Sequence, residues 1–115
     1  MVGKSKNPTK AEKRRWEMIV LGGCVACLQR EIFNDQVQIH HLLKGYRRGH
    51  SYTIGLCAYH HQGYIPEGLT KEQAKEIVGP SLALQKKAFH EEFGDDDFLL
   101  ELQNKIVNKV EDSIV

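Results

Sequence analysis

Apolar residues recur at helical spacing toward both ends of the chain and alternate with polar ones only in a short middle stretch. Near the start, Trp16, Ile19 and Val20 share a helical face. Thr9 can cap that helix through its hydroxyl, and Glu12 three residues on completes a capping-box pairing. A helix is therefore predicted from Thr9 until Gly22-Gly23 stops it. Val37, Ile39 and His41 alternate with Gln38 and His40, the period of a strand. Neighbouring side chains on a strand point to opposite faces, so His40 and His41 are predicted to do different jobs. Between residues 43 and 55, three glycines surround Arg47, Arg48 and His50; this reads as a basic loop turning into a second strand at Tyr52-Thr53-Ile54. A short helix after Cys57 carries His60 and His61, and Gly63 through Gly68, with Pro66, is a linker. Three more helices follow: Thr70 to Val78, stopped by Gly79-Pro80; Leu82 to Phe93, ended by Gly94; and one opened by Asp95 with Phe98, Leu99, Leu102, Ile106 and Val110 as its stripe. Such stripes read as packing surface. The expected architecture is a small α+β domain, with an arm over residues 1–8, a core over 9–64 and a helical extension over 65–115 packing on that core.

A length of 115 residues suits one domain, and 41% hydrophobic with 27% charged residues argues against wholesale disorder. No apolar run approaches the ~20 residues of a membrane span, and no signal peptide opens the chain, so the expected compartment is the cytoplasm. The net charge of +1 hides an asymmetry. Residues 1–15 carry six basic side chains against Glu12 alone, whereas from Glu91 onward eight acids face only Lys105 and Lys109. A basic arm with an acidic tail fits a protein that meets a polyanion at one end, or simply a solvated terminus.

The cysteines change the picture most. Cys24 and Cys27 present two thiolates from one tight turn, and Cys57 with His60 presents a thiolate and an imidazole at the same spacing. Four such ligands from two knuckles suit a closed tetrahedral zinc site. All three cysteines are thereby used, as a reducing compartment allows. His40, His41 and His61 are left over, and those are the groups free for chemistry.

Knuckle, strand, doubled histidine, basic glycine loop, second knuckle and a helix with a terminal histidine together resemble the HNH (ββα-metal) endonuclease family. The resemblance implies a zinc-stabilised ββα-metal core with added N- and C-terminal helices. It implies that His40 and His61 bind a catalytic divalent cation, Mg²⁺ or Mn²⁺, and that His41 is the general base. Within that family the chain is most similar to the phage recombination-enhancement (Ref) group. Thr9-Lys-Ala-Glu-Lys, Gly23-Cys24-Val-Ala-Cys27, Ile39-His40-His41, Gly49-His50, Thr53-Ile54-Gly55-Leu56-Cys57, His60-His61 and the Phe89–Leu100 stretch carry the likeness, which runs from about Thr9 to Leu102. The group implies a nuclease of phage or prophage recombination and repair, acting on DNA held in RecA filaments.

One position departs from the pattern. The asparagine that names HNH enzymes is replaced by Tyr52, and Ser51 and Thr53 do not supply it. His50 and Thr53 are the candidates to orient His41 or assist the cation in its place, while His50 as a bystander stays open. Phosphate contacts are expected from Lys44, Arg47, Arg48, Lys10, Arg14 and Arg15, with Lys4 and Lys6 of the arm contributing; such contacts are steeply salt-dependent and blind to sequence. Lys86 and Lys87 read as a solvated face. The rival expectation is a catalytically degenerate, zinc-stabilised DNA- or filament-binding module.

Overall fold

The computed structural model describes residues 7–43 and 49–114. Among them six helices and two strands form: α1 (Lys10–Gly22), α2 (Val25–Gln29), β1 (Val37–His41), β2 (Thr53–Cys57), α3 (Ala58–Gln62), α4 (Lys71–Val78), α5 (Lys86–Phe93) and α6 (Asp96–Ile114). No helix among the described residues is long and apolar enough to cross a membrane.

Local chemistry explains most boundaries. Thr9 caps α1 through a full capping box with Glu12, and Thr70 caps α4 the same way with Gln73. Asp95 precedes α6 and accepts the Phe98 N–H at 2.8 Å. Helix α2 replaces the simple turn expected at the first knuckle. Cys24 is its N-cap, and its C-terminus closes by Ile32 N–H to Cys27 O and Glu31 N–H to Leu28 O, a Schellman motif. Glu31 sits there at φ 61°, where glycine is usual, so the sequence carries no stop signal. The fifth helix starts at Lys86 rather than Leu82. Residues 81–84 are drawn off by tertiary bonds instead: Ser81 Oγ donates to Tyr59 O, and Leu82 N–H donates to His60 O. The second strand likewise begins one residue late and runs on to Cys57.

The strands pair antiparallel with His40 opposite Ile54 and His41 opposite Thr53. Every residue of β2 is buried, whereas β1 is half-exposed throughout. Gly55 is the reason β2 can lie so deep. A Cβ there would stand 2.6 Å from Ile19 and 2.7 Å from Val37, so only glycine lets α1 close on the sheet. Its N–H, at a position that does not bond to β1, is taken instead by Gln103 Oε1 of α6 at 2.7 Å.

Apolar packing falls into two groups. The larger gathers Cys24, Cys27, Leu42, Ile54, Leu56, Cys57, Tyr59, Ala74, Phe89, Phe93 and Leu99, so residues from α4, α5 and α6 pack around the knuckles. The smaller joins α1 to α6 through Met18, Ile19 and Val107, with Trp16, Val37, Ile39 and Val110 against them.

Candidate functional site

The two knuckles meet. Cys24, Cys27, Cys57 and His60 are all buried, and one ligand atom from each lies within 4.8 Å of the others. His60 Nδ1 stands 3.5 Å from Cys24 Sγ, 3.5 Å from Cys27 Sγ and 3.3 Å from Cys57 Sγ, with 3.9 Å between the sulfurs of Cys27 and Cys57. A tetrahedral zinc with ordinary bond lengths puts sulfurs about 3.8 Å apart and sulfur and nitrogen about 3.5 Å apart. The spacing fits that ion closely. The imidazole is also set for it: His60 Nε2–H donates to Val78 O at 2.8 Å, so the Nδ1 lone pair faces the sulfurs.

The electrostatics of the cluster favour a positive centre. Burial opposes protonation of His60, yet hydrogen bonding and Coulomb attraction to Cys24 and Cys57 raise its pKa to about 9. The thiols separate: bonds from Cys24 and Cys27 hold Cys57 far below the ordinary thiol range, while bonds to Cys24 and Cys57, with burial, push Cys27 far above it. Three sulfurs this close compete for protons that a single divalent ion would displace.

The covering layer comes from the second half of the chain. Tyr59 Oη donates to Gly79 O at 2.8 Å, and the rings of Phe89 and Phe93 lie 6.0 and 5.4 Å from His60. Arg30, at the end of α2, pairs with Glu92 and donates to Glu76 O, tying the first knuckle to α4 and α5. That hydrogen-bonded guanidinium holds the Glu92 carboxyl below its usual range.

The remaining histidines divide as their alternation on β1 predicts. His40 faces α3, its ring 5.0 Å from that of His61. Burial pushes His40 down to about 4, with repulsion from His61, His41 and His90 adding to it, and burial lowers His61 as well. Both are therefore neutral near pH 7, the state in which imidazole binds metal. His61 Nδ1 lies 2.8 Å from Gln38 Oε1. Since that oxygen only accepts, His61 carries its proton on Nδ1 and keeps its lone pair on Nε2. Nothing local marks this role for Gln38 beyond its place two residues before His40.

His41 faces the other way. Its Nε2 is 3.1 Å from His50 Nδ1, and the ring of Trp16 stands edge-on to both, at 5.8 and 5.3 Å. Thr53 is fully buried and donates its hydroxyl to His50 O at 3.0 Å rather than facing solvent. Of the expected phosphate contacts, Lys10 is exposed, Arg14 pairs with Glu111 at 3.2 Å, and Arg15 is bound to Thr53 and Asn104. Lys4, Lys6, Lys44, Arg47 and Arg48 lie outside the described residues. Lys86 and Lys87 are exposed.

No curated protein matches the chain. The sequence profile described as recombination enhancement, RecA-dependent nuclease matches residues 8–108, nearly the whole length. With a buried three-cysteine, one-histidine cluster on one side of its hairpin and a divided histidine doublet at the strand end, this chain belongs to the recombination enhancement, RecA-dependent nuclease family.

Proposed function

We propose that the protein is an HNH-type, metal-dependent endonuclease that hydrolyses DNA phosphodiester bonds during phage or prophage recombination, acting on DNA within a RecA filament. Family membership supports a nuclease role in recombination. The observation that carries the mechanism is the division of the doublet: His40 beside His61 on α3, His41 beside His50. The order β1, β2, α3 then reads as a ββα-metal core. Zinc on Cys24, Cys27, Cys57 and His60 would serve stability alone, because all four side chains are buried and no ligand position stays open to substrate.

The chemistry rests on His41. For its Nδ1 to take a proton from an attacking water, its Nε2–H must donate to His50 Nδ1, and the 3.1 Å separation allows that bond. His50 thus does for the base what the missing asparagine would have done. Water attacks phosphorus as His41 accepts its proton, the opposite phosphorus–oxygen bond breaks, and the departing oxygen is protonated from solvent. A divalent cation held by His40 and His61 would stabilise charge on the phosphate and the leaving oxygen. Two imidazoles form a softer donor set than Mg²⁺ usually takes, so Mn²⁺ is the better fit.

Phosphate contacts would come from Lys10 and Arg14 on α1 and from Lys44, Arg47 and Arg48. The exposed Arg14–Glu111 pair is weak enough, ~0–1 kcal/mol, to yield to DNA. A filament partner would supply effective concentration that a small basic surface cannot. Cleavage of RecA-coated DNA with Mn²⁺, measured beside His41→Ala and His61→Ala, tests this reading. Loss of cutting in both variants at unchanged zinc content is expected. Undiminished cutting by both would reject the mechanism, and a gel shift without cutting by the wild type would favour the binding module.

A further inference from the structure

The first helix reaches the base through a chain of hydrogen bonds that packing alone does not require. Arg15 Nε donates to Thr53 Oγ1 at 3.2 Å, and its terminal nitrogens donate to Thr53 O and Asn104 Oδ1, each at 2.7 Å. A guanidinium has no acceptor, so the Thr53 oxygen must accept from it. The hydroxyl hydrogen is thereby aimed at its other neighbour, His50 O, 3.0 Å away. Trp16 Nε1–H donates to the same carbonyl at 3.2 Å. Two donors, one from α1 and one from β2, thus clamp one backbone oxygen. The ring attached to that backbone is the one that meets His41. Trp16 closes the group by standing edge-on to both imidazoles.

We propose that Arg15 and Trp16 are positioning residues for the general base: they fix the His50 carbonyl, directly and through Thr53, and so hold the His50 ring where it orients His41. This rests on the reading of His41 as base. It gives Arg15 a role different from the phosphate contact its position in a basic helix suggests. The guanidinium is half-buried, and desolvation lowers its pKa. Asn104 extends the chain to α6, so the terminal helix supports the same carbonyl at one remove.

The two roles for Arg15 separate in kinetics. A phosphate contact acts on DNA binding, so its loss raises KM and flattens the salt dependence. A positioning residue acts on the chemical step, so its loss lowers kcat. The experiment measures cleavage of RecA-coated DNA by full-length Trp16→Phe, Arg15→Gln, Thr53→Val and Thr53→Ser beside wild type and His41→Ala. Imidazole ¹⁵N spectra of each report the tautomers of His41 and His50. A misplaced base costs up to ~10²-fold. Trp16→Phe, Arg15→Gln and Thr53→Val should therefore lose up to that factor in kcat with KM unchanged and with altered His41 and His50 signals. Thr53→Ser, which restores the hydroxyl, should recover both. Unchanged kcat and spectra in Trp16→Phe and Thr53→Val, or a loss in Arg15→Gln confined to KM, would overturn the proposal while leaving His41 as the base. If His41→Ala cuts as well as wild type, the nuclease mechanism itself fails and the positioning role fails with it.

Discussion

The two histidine-bearing sides of the hairpin are built to opposite specifications. On the knuckle side, every ligand is buried, His60 has its second nitrogen bonded to Val78 O, and two phenylalanine rings seal the cluster. On the doublet side, His40, His41, His50 and His61 are half-exposed and are held by polar partners: Gln38 for His61, and the Trp16–Thr53 clamp for the backbone of His50. The first arrangement resists exchange and suits stability. The second leaves its imidazoles partly exposed, with Gln38 setting the tautomer of His61. One short hairpin serves both because Cys57 and the doublet stand at its opposite ends, Cys57 opposite Val37 and His41 opposite Thr53.

The strongest way to break the comparison is at the sealed side. Apparent zinc binding in finger peptides amounts to ~10–16 kcal/mol, comparable to or above the ~5–15 kcal/mol net stability of a small domain. Cys57→Ser, or prolonged strong chelation, should abolish the cooperative thermal transition followed by near-ultraviolet circular dichroism, with zinc lost by elemental analysis. An unchanged melt after metal removal would show that the cluster contributes no folding energy. On the open side, His41→Ala should reduce kcat by ~10²–10⁴-fold with the melting curve intact; a melting shift as large as that of Cys57→Ser would mean the two sides are not separable.

Smaller effects sharpen the boundary. Gln38→Leu removes the acceptor that fixes the His61 tautomer and should weaken catalytic-cation affinity ~10–100-fold, read as a higher Mn²⁺ requirement at constant zinc content. An equal requirement in wild type and variant would remove Gln38 from the site. Gly55→Ala presses a methyl between Ile19 and Val37 and should cost ~1–3 kcal/mol by denaturant titration, since α1 must move off the sheet; because α1 carries Trp16, its kcat should fall too. Thr9→Ala removes only a helix cap, about 1 kcal/mol, and should leave cleavage at wild-type rate once folded.

The same contrast governs how much could be read without a structure. The knuckles are legible because their ligands sit at fixed short spacing, and the capping box at Thr9 is legible for the same reason; Thr70 and Gln73 form a second at that spacing. The split of His40 from His41 followed from strand periodicity. What stayed hidden depends on contacts far apart in sequence. Val78 O behind His60, Gln103 under Gly55 and Asn104 behind Arg15 come from helices brought over by packing, and nothing local marks them. In the sequence Trp16 is one more apolar position on α1; its N–H bond to His50 O and its edge-on contacts with both imidazoles show otherwise. Helix α2 has no local stop signal because Glu31 occupies the left-handed position where glycine would announce one. The start of α5 shifts from Leu82 to Lys86 because Ser81 and Leu82 bond to Tyr59 and His60 of α3 instead of continuing their own helix.

Adding Mn²⁺ to zinc-replete protein, with DNA cutting and bound metal followed together, tests the separation of the two sides most directly. One zinc per chain should remain fixed throughout while cutting rises from nothing as Mn²⁺ saturates a second site that His40→Ala and His61→Ala lose. Full cutting by the zinc-loaded protein before any Mn²⁺ is added, or a Mn²⁺ response unaltered in both variants, would contradict it.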